Sequence, residues 1–187
     1  MSIVSKYGKP DLFLTFTCNP SWTEISDNLK PNQSAADRPD LVARVFQQKV
    51  KALCKEIVKK QVLGEVAAYI YVIEFQKRGL PHTHMLLTLK ADWKLTTAAQ
   101  VDNLISAEIP DSANPNETAL HRIVSTTMIH RPCGVLNPGS PCMRNGQCSK
   151  RYPKKFRNET SLSVDGYPEY RRRDDGRMIE CRGIQID

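Results

Sequence analysis

The stretch "EVAAYIYVIEFQKRGLPHTHMLLTL", residues 65–89, decides the fold. Its first part, "EVAAYIYVIEFQ", is rich in β-branched and aromatic residues and reads as a strand. "KRGLP" reads as a turn and "HTHMLLTL" as a second strand, so the stretch predicts an antiparallel hairpin. Strand alternation places His82 and His84 on one face and Thr83 on the other. On the preceding strand Ile70, Val72, Glu74 and Gln76 share a face. A five-residue connection from Lys77 to Pro81 leaves Gln76 opposite His82 and Glu74 opposite His84. In that register two imidazole nitrogens meet a carboxylate, and coordination positions stay open for water and a phosphate oxygen. A slip of one residue turns Glu74 away. The same residues are also compatible with two structural histidines on a half-buried sheet beside a surface carboxylate.

Upstream, "DLFLTFTC" (Asp11 to Cys18) reads as a further strand with Leu12, Leu14 and Phe16 on one face and Phe13, Thr15 and Thr17 on the other. Between this strand and the hairpin, Leu41, Val42, Val45, Phe46, Val50, Leu53 and Ile57 recur at helical spacing. Asp37 or Asp40 is available as N-cap, and Lys59 and Lys60 close the helix. Downstream, "LTTAAQVDNLISAEIP" has a threonine cap and ends at Pro110, and "NETALHRIVSTTMIH" repeats the helical spacing at Leu120, Ile123, Val124 and Met128. The order β, α, β, β, α, α predicts an α+β fold, a central antiparallel sheet flanked by helices over residues 1–129.

From 130 to 187 proline, glycine, cysteine and basic residues dominate, with too little apolar periodicity for a core of its own. His130, Cys133, Cys142 and Cys148 form H-x2-C-x8-C-x5-C, a donor set suited to a closed tetrahedral zinc site. The alternative is a basic loop with scattered reduced cysteines. Two clusters mix cations with aromatics: Lys150, Arg151, Lys154 and Lys155 around Tyr152 and Phe156, and Arg171, Arg172 and Arg173 after Tyr170. Together with Lys77 and Arg78 of the hairpin turn they are candidate contacts for a single strand of DNA, phosphates on the cations and bases on the rings.

The composition agrees with such a partner. The 187 residues carry 27 Lys and Arg against 20 Asp and Glu, a formal charge of +7, which favours an anionic ligand. No apolar run reaches the roughly 18 to 20 residues of a bilayer span, and "MSIVSKYGKP" lacks a signal-peptide core. The expected compartment is intracellular, with the six cysteines reduced. No G-x-x-x-x-G-K-[ST] sequence offers a phosphate cradle for ATP.

"VIEFQKRGLPHTHMLL" resembles the central hairpin of the HUH endonucleases, the rolling-circle replication (Rep) initiators and relaxases, and most closely the N-terminal, helicase-like domain of Helitron transposases. "FLTFTCNPSW" resembles the first rolling-circle motif, with Asn19 near the DNA, and "MIHRPCG", "NPGSPCM", "CSKRYPKKF" and "DGYPEYRRR" fall in the Helitron order. The resemblance implies an HUH/Rep nuclease-like fold in which His82, His84 and Glu74, or Gln76, hold Mg²⁺ or Mn²⁺. That ion polarises a DNA phosphate for attack by a tyrosine. It also implies transposon ends as the single-stranded substrate, a helicase domain downstream and a nuclear location. The family's tyrosines sit on a helix near lysines. Tyr152, Tyr167 and Tyr170 lack that context, Tyr167 and Tyr170 being the weak candidates, so the nucleophile is expected beyond Asp187. The alternative of a different class is a DNA-binding module without catalysis, or a decayed transposon remnant, ordered by the zinc site.

Overall fold

A computed structural model describes residues 3–75, 79–162, 168–181 and 183–186. The chain divides into two compact units, Met1–Leu95 and Thr96–Asp187. Both expected downstream helices therefore fall in the second unit, with the cysteine-rich segment.

In the first unit a short helix α1 (Ile3–Tyr7) precedes strand β1 (Leu12–Thr17), followed by α2 (Thr23–Ser26), the long helix α3 (Pro39–Cys54), β2 (Val66–Phe75) and β3 (Pro81–Leu89). The strands form an antiparallel sheet in the order β1-β3-β2, so the histidine strand is central. Alternation sorts its faces. Leu12, Leu14 and Phe16 of β1 turn inward with Thr83, Met85 and Leu87 of β3, the last three fully buried. The apolar stripe of α3 covers this side, burying Val42, Phe46 and Val50, and Ile57 follows in a wider final turn. Phe16 stacks between Trp22 and Phe46, with centroid distances of 5.8 and 5.6 Å.

Helix α3 corrects the expected cap. Arg38 is the N-cap residue, and Pro39 starts the helix where its missing N–H is no loss. Asp37 instead closes the preceding turn, accepting from the Ser34 backbone N–H at 2.8 Å, and Asp40 forks onto Arg38 at 2.9 Å.

The second unit begins with α4 (Ala98–Leu104), where Thr97 caps the helix and receives the Gln100 N–H at 3.3 Å. α5 (Thr118–Ile123) continues through a wide turn to Met128. Leu120, Ile123 and Met128 are more than half exposed, so the helical spacing there does not mark a buried stripe. Two small hairpins follow, β4 (Met143–Arg144) with β5 (Gln147–Cys148), and β6 (Ile179–Cys181) with β7 (Ile184–Ile186). No helix among the described residues is long and apolar enough to cross a membrane.

Candidate metal centres and nucleic-acid surface

The hairpin register puts Glu74 opposite His82 and Val72 opposite His84. This corrects the expected pairing of Glu74 with His84 by two residues. Because side chains alternate with a period of two, a shift of two keeps Glu74 on the histidine face. Pro81 heads β3, where a residue with no N–H fits, and its carbonyl accepts from the Cys18 N–H at 3.0 Å. The turn residues Gln76, Lys77 and Arg78 lie outside the described residues.

On the open face of the sheet, the Glu74 carboxylate lies 3.2 Å from His82 Nε2 and 3.9 Å from His84 Nε2. One donor atom from each of the three residues lies within 4.8 Å of the others. Adjacent ligands about 2.1 Å from an octahedral ion stand roughly 3 Å apart, so a small contraction would close the set around a cation. The second imidazole is anchored from β1. Thr15 pairs with His84 in the sheet, and its Oγ1 is 3.0 Å from His84 Nδ1. Phe13 stacks on the same ring at 5.3 Å and 16°. His82 Nδ1 is buried with no hydrogen-bond partner among the described residues. Thr15 was visible in the sequence as a face residue of β1, but no sequence signal joined it to His84.

The second unit gathers the other donor set. One donor atom each from His130, Cys133, Cys142 and Cys148 lies within 4.8 Å of the rest, a group that could hold a metal such as zinc. His130 Nε2 and Cys148 Sγ are 3.5 Å apart, about the separation of two ligands on one tetrahedral zinc with bonds near 2.0 and 2.3 Å. The local chemistry that closes the wide Cys142 to Cys148 gap is an Asn145-Gly146 turn. Both residues adopt positive φ, 50° and 77°, between the two-residue strands β4 and β5. Asn-Gly is the strongest short hairpin signal a sequence carries, and it explains how ligands six residues apart meet.

Electrostatics in this cluster follow from its crowding. Burial, then the neighbouring Cys142 and Cys148, push the Cys133 thiol up to about 11. Desolvation also opposes ionisation of Cys148, but the Tyr152 and Lys150 backbone and the other two thiols bring it below the usual thiol value. Burial and then the Lys150 and Lys154 charges lower His130, which favours the neutral imidazole that a metal needs.

The two basic clusters are used differently. Arg173 forks onto Glu108 with both contacts at 2.8 Å, and Arg171 lies 3.6 Å from both Asp102 and Glu108. The hydrogen bonds of Arg173 hold Glu108 down at about 2, against some desolvation. Arg172 sits over the Phe156 ring at 4.4 Å. By contrast Lys150, Arg151 and Lys155 are exposed and make no ion pair among the described residues. Tyr170 is half-buried, and burial raises its hydroxyl, the wrong direction for a nucleophile. Tyr69 and Tyr71 alternate onto the opposite side of the sheet from Glu74, and Tyr167 lies outside the described residues.

Residues 1–87 match the family model of the Helitron helicase-like domain at the N-terminus. The match takes in β1, α3, β2 and the β3 residues His82 and His84. No curated protein matches the chain.

Proposed function

Given the Helitron match over residues 1–87, we propose that this chain is the metal-binding part of a Helitron-type rolling-circle transposase nuclease. It would act on single-stranded DNA at transposon ends. The observation that carries this reading is the convergence of Glu74, His82 and His84 on the open face of the central hairpin. The donor set, two neutral nitrogens and one carboxylate, suits Mg²⁺ or Mn²⁺ and leaves coordination positions free. Such an ion supplies Lewis-acid polarisation of a phosphate oxygen.

The chain's own residues do the rest of the holding. Glu74 brings the negative charge, His84 is oriented by Thr15, and the sheet fixes all three on rigid strands. In the reaction a tyrosine oxygen bonds to phosphorus while the bond to the 3′ oxygen breaks, giving a 5′-phosphotyrosine and a free 3′-hydroxyl. We place that tyrosine outside residues 1–187, so this chain by itself binds Mn²⁺ and single-stranded DNA without forming a covalent adduct. His130, Cys133, Cys142 and Cys148 hold a structural Zn²⁺ beside the DNA-binding loop.

The test is Mn²⁺ titration of His82→Ala and His84→Ala, monitored by electron paramagnetic resonance. Both substitutions abolish Mn²⁺ binding in a nuclease. Binding unchanged from the wild type in folded variants would support the other reading, a DNA-binding module in which only the Cys cluster takes metal. That reading is favoured by the tight His130–Cys148 approach. Elemental analysis should find close to one zinc per chain, lost in Cys142→Ser.

A further inference from the structure

The second unit contains a cavity of about 430 Å³ lined by Met128, His130, Tyr152, Phe156, Arg172 and Met178, among others. This is within the roughly 300–1,000 Å³ of small-ligand sites. We infer that it takes an unpaired nucleobase of single-stranded DNA, stacked against Phe156, with the strand's phosphates running past Lys150, Arg151, Lys154 and Lys155. The inference rests on the DNA-binding part of the proposed function and adds a base-binding site to it.

Three observations carry it. One side of the cavity is apolar and wet: Phe156 is 44% exposed, Tyr152 41%, Met178 56% and Met128 71%, an exposed apolar patch of the kind that marks a binding site. The two rings have different roles. Tyr152 stacks on His130 at 4.0 Å and 8°, with Lys154 Nζ 5.1 Å over its ring, so it is a fixed wall. Phe156 carries Arg172 at 4.4 Å and still keeps nearly half its surface open, a platform for π-stacking with a cation beside it.

Charge sets the direction of the strand. Residues 150–156 bring four cations next to these rings. Lys150, Arg151 and Lys155 have no ion pair among the described residues, and Lys154 Nζ donates to the Lys150 carbonyl at 2.9 Å. The acidic wall is largely compensated: Glu108 is held by Arg173, and Asp175 lies 3.4 Å from Arg177. Asp174 adds an exposed carboxylate on that side, which repels phosphate and keeps the backbone along the lysines. A base can enter between the two sides because it carries no charge.

The experiment uses the full chain and an oligothymidylate with one 2-aminopurine, whose fluorescence is quenched by stacking. The wild type should quench it on binding. Phe156→Ala and Phe156→Leu should lose the quenching and about tenfold in affinity, and Phe156→Tyr should keep both. Lys155→Ala should weaken binding and lower the salt slope by about one while saturated complexes stay quenched. The saturated wild-type complex should stay quenched with Mn²⁺ omitted, so failure of the metal reading is seen separately. Quenching and affinity unchanged in folded Phe156→Leu, an unquenched wild-type complex, or no oligonucleotide binding at all each overturn the base site.

Discussion

At the residue scale the two histidines are unequal. A hydroxyl can accept from an imidazole Nδ1–H, and the Thr15 contact at 3.0 Å then leaves the His84 Nε2 lone pair facing Glu74. Thr15→Val keeps the shape and removes the acceptor, so Mn²⁺ affinity should fall about tenfold, with Thr15→Ser close to wild type. The ¹⁵N shifts of His84 read the tautomer directly in the metal-free chain. If Thr15→Val leaves both the shifts and the affinity unchanged, the hydroxyl does not orient the ring. The sequence could put Thr15 on the correct face of β1. It could not pair it with His84, because strands 69 residues apart have no turn between them to set their register.

At the scale of elements, what repeats with a short period was legible, and the register set by the long turn of the central hairpin was not. The α3 stripe was readable because Val42, Phe46 and Val50 fall on one side of a 3.6-residue repeat. The hairpin face was readable for the same reason at period two, while its pairing was displaced by two residues because loop length, not alternation, fixes register. The Leu120 and Met128 spacing misled because a helical repeat shows a stripe without showing what lies against it. Another turn just before β2 carries a constraint of its own. Gly64 has φ +100°, and a Cβ there would lie 2.7 Å from Trp93 Cε3. Gly64→Ala must strain the backbone and displace the indole, so it should cost about 1–3 kcal/mol, seen as a lower urea midpoint. An unchanged midpoint would mean that Trp93 swings away freely and the φ carries no penalty.

At the scale of the whole molecule the two units are stabilised by different means. The first buries Ile25, Val42, Phe46, Val50, Ile57, Met85, Leu87 and Leu89, whereas the buried aliphatic residues described in the second are Val101 and Ile179. Ion pairs and metal ligands therefore have more to do in the second unit. Glu108 titrates near 2 when folded, through Arg173, and near 4.3 in an unfolded chain. Its contribution is thus complete above about pH 4.3 and is lost as pH falls toward 2. After discounting for solvent it is of order 1 kcal/mol, and Glu108→Gln should flatten the acid limb of the stability curve by that amount. With zinc bound as proposed, the Cys cluster would make the larger contribution, since metal binding and local folding are one equilibrium where few apolar contacts hold the loop. Chelation should accelerate amide exchange across residues 130–153 and leave α3 and the sheet protected, with added Zn²⁺ restoring the slow rates. Equal acceleration in both units would mean that the metal orders the whole chain, and no acceleration in either would mean that the four ligands are held together without it.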